Sequence, residues 1–567
     1  MYKKCYTQKI KDNKYKVFLW DDIGYDEIIW YNASYIEDNE GDLKGINGEK
    51  LKKTTNWDRN TPNLHFHDMK PHQKYLVERY GTADEPSTSH RELFFDIECE
   101  IGGALTEEYI ESAPMPITSI AWWDKQEDWW AILILDKKGQ LNHTKAKNKE
   151  IIPCKTESEL LGKFLERFRE IDPDILIGYN SDFFDIPYLY YRMCNVLGKD
   201  WADHLSPINK VNAKKNNEYF FKRNQFVDII GVESLDYIRL HKKYSWKDEP
   251  SWKLDAIGEK YTGIGKVEYE GNLDQLFESD IHKFIQYNFR DVEILKLLDE
   301  KLQYIALTKN LSHKGKHNYS EVYSNSVTQD GAISAYLLSQ GIIPPARHAN
   351  PKAKKGYAGG YLFCPKAGLY NYMFDEDLTS LYPSIIMSLN IGRETFVGRI
   401  IDADDRNNRL GLNDLKKRDP EEELLIKNSK DQSTRVNVGR LIALIEQNNF
   451  SISANGTIFE TEKESTLSTV LNKWFDERVD YKNKMKKAFK SGDKAMGDYY
   501  YLMQYTMKIL LNSLYGATAL PGFRYGLPES ILSEAITLSG HRIIQESALC
   551  ANKHMNKVIR NEIKLEI

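Results

Sequence analysis

Cysteine is scarce in this chain. The six residues Cys5, Cys99, Cys154, Cys194, Cys364 and Cys550 are scattered through 567 positions without C-x-x-C spacing. That excludes a zinc ribbon or a disulfide framework as the organising principle and fits a reducing cytosol. No apolar run approaches the roughly eighteen residues that span a bilayer, and Met1-Tyr-Lys-Lys-Cys5 has no apolar signal core, so no membrane or export segment is read. Nor is there a charge excess to argue from: a net charge of -5 gives no global case for nucleic acid, and any such case has to come from local clusters. Internal repeats and low-complexity segments are missing too. What the chain does have is length, enough for about three to four domains with a cleft between them, which favours a multidomain enzyme over a binding module.

The first ninety residues are polar, aromatic and turn-rich, ending in the loose stretch Gly81-Thr-Ala-Asp-Glu-Pro-Ser-Thr-Ser89. From Arg91 to about Leu302, apolar β-branched runs alternate with helical stretches, the pattern of an α/β domain. Proline density in Gly341–Lys352 predicts a second boundary without regular structure. A mixed region reaches Glu464, and helical patterns over Thr466 to Lys490 and Asp498 to Tyr515 flank a turn at Ser491-Gly-Asp493, predicting a helical hairpin on an α+β base.

Three acidic segments stand out. In Leu93-Phe-Phe-Asp-Ile-Glu-Cys99, alternation places Asp96 and Glu98 on one strand face about 7 Å apart, a spacing suited to a cation site. The ordinary alternative is a solvated polar face. Asp185 follows the apolar run Asp174-Ile-Leu-Ile-Gly178 at the carboxyl end of a strand, where α/β sheets bind ligands, or it caps the next helix. Tyr287 and Asp291 lie one turn apart on a helix whose apolar side includes Ile281, Phe284, Ile285 and Ile294; a structural Tyr and a surface Asp are the plain alternative. Four carboxylates and a phenol are what phosphodiester hydrolysis requires: hard ligands for two divalent cations and a group to orient water. The three segments resemble the motifs of DEDDy-type proofreading exonucleases. That resemblance implies Asp96, Glu98, Asp185 and Asp291 as metal ligands, Tyr287 as the water-positioning residue, and a ribonuclease H-like fold.

Asp377-Leu-Thr-Ser-Leu-Tyr-Pro-Ser384 places a carboxylate after the aromatic strand Leu369–Phe374 and before a predicted helix start, where backbone amides meet phosphate. On the second hairpin helix Tyr501, Tyr505, Lys508, Asn512 and Tyr515 form one stripe; on the first, Arg478 and Lys482 are four apart. Aromatic stripes are usually core and charge pairs usually solvated, but a lysine and an asparagine inside the stripe are costly to bury unpaired. The octapeptide and Lys508-Ile-Leu-Leu-Asn-Ser-Leu-Tyr-Gly516 match the signatures of family B DNA polymerases, and the order of segments from Arg91 onward, with Ser251-Trp-Lys-Leu-Asp255 and Ser451–Gly456, is most similar to replicative polymerases of T-even-like bacteriophages.

The resemblance implies an incomplete right-hand polymerase, with a partial palm and helical-hairpin fingers, beside the exonuclease. Its domains would be an N-terminal domain (1–90), the exonuclease (91–309), a linker returning to the N-terminal domain (310–348), the first part of the palm (349–464), fingers (465–520) and incomplete palm (521–567). Asp377 and Leu378 would bind metal, and Ser380, Leu381, Tyr382, Arg478, Lys482, Lys508, Asn512 and Tyr515 the incoming dNTP, with Tyr382 beneath the sugar to exclude a ribose hydroxyl. Tyr357, Gly359, Gly360 and Gly516 would contact DNA. Lysines from Lys210 to Arg223, interleaved with Tyr219, Phe220 and Phe221, form a further candidate DNA contact, and Val211 to Gly231 a hairpin parting primer from template; a second basic cluster runs from Lys482 to Lys494. The implied cofactor is Mg2+, two ions per active site, with Mn2+ as the alternative.

Family B enzymes carry a second catalytic Asp in a D-T-D motif beyond the fingers, and no such motif follows Gly516. The leading expectation is therefore the N-terminal subunit of a split viral polymerase in the host cytoplasm, binding primer-template DNA and dNTPs. A partner polypeptide would bring D-T-D and the thumb, and through them a sliding clamp. This reading predicts an exposed apolar surface within residues 520–567. The alternatives are a stand-alone 3'-5' exonuclease with a non-functional polymerase half, or a non-catalytic scaffold or truncated product.

Overall fold

The computed structural model describes residues 1–58, 60–100, 102–213, 227–245, 248–348, 359–364, 367–369, 377–401 and 409–562, the side chains of 558–562 excepted. The chain forms two compact units: Met1–Asn32 with Lys70–Ser324, and Ala33–Met69 with Asn325–Ile567.

In the first unit, antiparallel strands Tyr2–Lys11, Lys14–Asp21 and Tyr25–Tyr31 make a small sheet. Helix Pro71–Tyr80 covers it, with Tyr2, Cys5, Val17, Leu19, Tyr75 and Leu76 as the shared core. The larger sheet has seven strands in the order Thr144–Ala146, Lys149–Cys154, Trp129–Leu135, Ile117–Asp124, Glu92–Cys99, Ile175–Gly178, Glu233–Asp236. Strand Glu92–Cys99 pairs antiparallel with 117–124 and parallel with 175–178, so it is interior to the sheet. Helices cover both faces. Helix Glu157–Ile171, capped by the Thr156 hydroxyl, packs Phe164 on Trp122. Helix Ile281–Leu302, capped by Asp280, lies over the opposite face and buries Phe284, Ile285, Ile294 and Leu295.

In the second unit, strands Ile342–Ile343, Leu43–Gly45, Lys50–Thr54, Ser34–Glu37 and Leu64–His65 form one sheet. Residues 342–343 pair parallel with 44–45, so the region between Gly341 and Pro345 is not free of regular structure as its prolines predict. Pro344 biases the residue before it toward extended backbone, and that is what the edge pairing uses. A second antiparallel sheet runs Ser433–Asn437, Glu423–Asn428, Phe396–Ile400, Thr457–Phe459, Ser451–Ile452. Helix Val438–Gln447 closes its core through Val438, Leu441 and Ile445 against Ile400, Leu424 and Ile458.

The helical hairpin consists of Thr466–Lys490 and Lys494–Thr518. The second helix begins four residues before the predicted Asp498 because the Asp493 carboxylate caps it, accepting from the Met496 N–H at 3.1 Å. Gly497 admits the Phe489 ring at the turn; a Cβ there would come within 2.4 Å of it. Helix Asn325–Ser339 braces the hairpin, Gln329 donating to the Leu510 carbonyl and the Ser513 hydroxyl at 2.8 and 2.9 Å.

Fully buried Arg524 joins distant segments of this unit. It reaches Asp330 at 2.7 Å, Asp68 at 2.5 Å and the Pro345 carbonyl at 2.7 Å, while Arg347 pairs with Asp330 at 2.6 Å. The final helix, Ile531–Glu562, buries Ile536 and Leu538 and exposes Ile543, Leu549 and Met555. All six cysteines are free, and no helix among the described residues is long and apolar enough to cross a membrane.

Candidate active sites

Strand Glu92–Cys99 delivers the first two carboxylates. Alternation sets Phe95 and Ile97 against Asp96 and Glu98 as the sequence predicts, but the polar face is not solvated: Phe94, on the same face, is fully buried against Trp123, and Asp96 and Glu98 are only partly exposed. The interior position of the strand and the helix lying over that face account for the difference.

Asp185 opens helix Asp185–Val196. Phe184 occupies the cap position, so the Asp185 carboxylate is not spent as an N-cap; its Oδ1 accepts from the Ile97 N–H at 3.3 Å, between Asp96 and Glu98. Gly178 permits the return of the chain, since a Cβ there would meet the Ser181 Cβ at 2.6 Å and the Phe95 ring at 3.3 Å. Helix Ile281–Leu302 brings Tyr287 and Asp291 to the same place, both buried.

Ligand oxygens of Asp96, Glu98 and Asp291 lie within 4.8 Å of one another, the only group of three or more potential metal ligands among the described residues. Asp291 Oδ1 is buried without a hydrogen-bond partner. Burial, reinforced by the neighbouring carboxylates, pushes Asp96 well above the usual range and Glu98 up to about 8. Burial raises Asp185 to about 7 and Asp291 to about 6, the latter against the opposing pull of Lys266. Three crowded carboxylates with an unsatisfied oxygen are costly as they stand and fit hard divalent cations well.

Lys266 is the residue that sequence reasoning missed. Its Nζ donates to Tyr287 Oη at 2.9 Å and to the Asp291 carboxylate, and its backbone N–H donates to Asp255 at 2.7 Å. Burial alone would lower the Lys266 pKa, but Asp291, Tyr287 and Asp96 raise it, so the ammonium is held charged. Burial and the Asp291 charge raise the Tyr287 phenol, keeping it protonated. Tyr269 packs edge-on to the Tyr287 ring at 5.4 Å.

The second constellation is open by contrast. Asp377 is exposed, four residues before helix Leu381–Ser388; residues 370–376, where the preceding strand was expected, lie outside the described residues. Leu378 is exposed, and Ser380, Leu381 and Tyr382 are half-buried. The Tyr382 ring lies 4.3 Å from that of Tyr515, whose hydroxyl pairs with Thr537 at 2.7 Å. Gly360 stands near the Tyr382 hydroxyl, Gly359 accepts from His541 at 2.6 Å, and Gly516 is exposed; Tyr357 is outside the described residues.

On the hairpin, the stripe of Tyr501, Tyr505, Lys508, Asn512 and Tyr515 is partly or fully exposed, while Met503, Met507, Leu510 and Leu514 bury the opposite face. The stripe is therefore not core. Tyr501 and Tyr505 stack with an interplanar angle of 6°. The Arg478 charge, then burial, then Lys486 and Lys508 lower the Lys482 pKa. Arg478 is itself lowered by burial, and its Nε is buried without a partner. Lys482 thus stands among neighbouring positive charges. Of the Lys210–Arg223 segment only 210–213 are described; Lys210 lies 5.0 Å over the Tyr6 ring.

Two family profiles match the chain: "DNA polymerase family B, exonuclease domain" over residues 30–257, containing Asp96, Glu98 and Asp185, and "DNA polymerase family B" over residues 324–567, containing Asp377 and the hairpin. The chain belongs to DNA polymerase family B. It is 30% identical to the DNA-directed DNA polymerase of Escherichia phage RB69 and 28% identical to that of Enterobacteria phage T4, each match covering 72% of this chain and 47% of the relative. A DNA polymerase of Pyrococcus glycovorans is 25% identical over 83% of this chain and 52% of its own length. The chain thus spans about half the length of the curated relatives it matches.

Proposed function

We propose that this chain removes nucleotides from DNA 3' ends and forms the N-terminal part of a template-directed, dNTP-adding polymerase that proofreads with that activity during viral DNA replication. The observation that carries the reading is the buried convergence of Asp96, Glu98 and Asp291, with Asp185 hydrogen-bonded between the first two. These four would hold two Mg2+ ions, or Mn2+, which when bound supply charge neutralisation at the scissile phosphate and a more acidic water. Lys266 donates to the Tyr287 oxygen, leaving the phenolic proton to orient a water or a phosphate oxygen. Lys266 also balances Asp291, so the cluster stays assembled between turnovers. The mixed sheet bearing these groups on an interior strand supports a ribonuclease H-like exonuclease; the second unit is read as a partial palm with hairpin fingers.

For chain extension, Asp377 and Leu378 belong to the metal site, Tyr382 to the sugar, and Arg478, Lys482 and Lys508 to the triphosphate, assisted by Ser380, Leu381, Asn512 and Tyr515. Gly359, Gly360 and Gly516 are assigned to DNA. Asp377 has no place in a group of three potential ligands among the described residues, and two-metal nucleotide transfer needs a further carboxylate. In this reading a second polypeptide supplies that carboxylate, the remaining palm and the thumb, and links the enzyme to a sliding clamp. The same observation favours a second reading, a stand-alone 3'-5' exonuclease. Magnesium, a labelled primer-template and dNTPs, with and without the polypeptide encoded just downstream, decide between them. Shortening by the chain alone, abolished in Asp96→Ala, with extension only on adding the partner, is the expected result. Shortening with no extension in the presence of a D-T-D-bearing partner leaves the exonuclease; absence of both overturns the proposal.

A further inference from the structure

One buried polar chain leads to Asp96 from outside the carboxylate set. Asn288 follows Tyr287 on helix Ile281–Leu302, one turn before Asp291 on the side that meets the sheet, and is completely buried. Its amide nitrogen donates to Asp96 Oδ2 at 2.6 Å, and its amide oxygen accepts from the hydroxyl of equally buried Ser119 at 2.9 Å. Ser119 sits on strand Ile117–Asp124 directly opposite Glu98 in the sheet register.

One orientation suits a metal ligand. The ionised carboxylate that would hold a cation accepts only, so Asn288 presents its NH2 group to Asp96 and its oxygen away from it, as the structure has it. That oxygen, buried, then requires a donor, and the Ser119 hydroxyl is the donor in place. We infer that Asn288 is a positioning residue for Asp96, with Ser119 the latch that fixes its amide, and that the pair sets the rotation of the Asp96 carboxylate toward Glu98 and Asp291 and hence the cation affinity of the site.

The inference rests on the exonuclease reading, in which Asp96 is a metal ligand. It differs from a packing role in what it predicts: the apolar replacement of equal shape, Asn288→Leu, fills the same space but removes both hydrogen bonds. Partners of ligating groups in an outer layer typically control affinity by about 10–100-fold.

The test uses the full chain and Mn2+ alone. The Mn2+ concentration giving half of the full metal-induced rise in melting temperature is measured for wild type, Asn288→Leu, Ser119→Ala and Asp96→Ala, beside KM and kcat for shortening of single-stranded DNA. Asn288→Leu is expected to raise the half-effect concentration at least tenfold and Ser119→Ala several-fold, with KM for DNA unchanged. Wild-type Mn2+ response in both variants overturns the inference. Should Asn288→Leu fail to fold, by circular dichroism, Ser119→Ala decides alone: a several-fold rise supports the latch and an unchanged value overturns it. Asp96→Ala separates the layers, because a full Mn2+ response there defeats the metal-site reading itself.

Discussion

The two candidate sites of this chain hold their charges in opposite ways. Around Asp96 the acids are crowded, desolvated and already convergent, with Lys266 and Asn288 tying them to a helix and a neighbouring strand. Around Asp377 the acid is solvated and belongs to no carboxylate cluster among the described residues, and the cations sit on two long helices with their polar stripe facing out. A buried cluster of like charges costs stability until a cation arrives, whereas separated, solvated charges cost little and gain order only when ligand draws them together. The first arrangement is preassembled; the second leaves its charges apart.

The largest effect expected to sharpen this contrast comes from Asp96→Ala: primer shortening should fall on the order of 10³-fold or more, as loss of several kcal/mol of transition-state stabilisation requires, while any partner-dependent extension persists. Single-turnover assays check it. A parallel loss of extension would break the contrast.

Lys266→Met comes next. Removing one partner of a buried ion pair costs about 3–5 kcal/mol, reduced here because the Lys266 side chain keeps 30% of its exposure. Metal-free stability should drop by a few degrees on melting, with the drop shrinking when Mn2+ is added.

The pH response of the metal-free protein follows in size. Glu98 at about 8, Asp185 at about 7 and Asp291 at about 6 all bind protons more tightly folded than unfolded. The folded state therefore holds more protons from about pH 4 to 8, and this cluster's contribution to stability falls as pH rises through that window. Melting in EDTA should show Asp96→Asn gaining on wild type between pH 5.5 and pH 8, and Mn2+ should erase the gain. Hairpin substitutions act elsewhere: if the proposed dNTP site holds, Lys482→Ala should weaken Mg-dNTP binding by about tenfold, the worth of one charge-assisted contact, and reduce its salt dependence without altering shortening. The smallest effect is Leu549→Ser at an exposed site, within about 0.5 kcal/mol on the stability of the chain, checked by chemical denaturation.

Much of the geometry of the carboxylate cluster was legible in the sequence because it depends on local periods. A two-residue repeat put Asp96 with Glu98, a four-residue repeat put Tyr287 with Asp291, and the strand-then-helix pattern located Asp185. Lys266 left no such trace: it lies in a loop 21 and 25 residues from its partners, and a lone lysine after Gly265 resembles any solvated turn. Asn288 was hidden differently, inside the motif Tyr287–Asp291 but facing a strand about 170 residues away. The covering of strand Glu92–Cys99 on both faces was equally invisible, since alternation reports one apolar face and not the helix that lies over the other. The pairing of residues 44–45 with 342–343, which places Ala33–Met69 in the second unit, depends on contacts across some three hundred positions that no local pattern encodes.

The Arg524 network carries a consequence for how the molecule is made. Asp68 and Arg524 are 456 residues apart, so at a synthesis rate of about 5–20 residues per second the ribosome needs roughly 20–90 s to deliver the guanidinium after the carboxylate has emerged. During that interval strands Ser34–Glu37 and Lys50–Thr54 are outside the exit tunnel while their last structural partners are still being translated. The residues of the first unit, which end at Ser324, have all emerged by then. The second unit's earliest strands pair locally at once, but their edge partner at 342–343 and the Arg524 tie to Asp68 arrive hundreds of residues later.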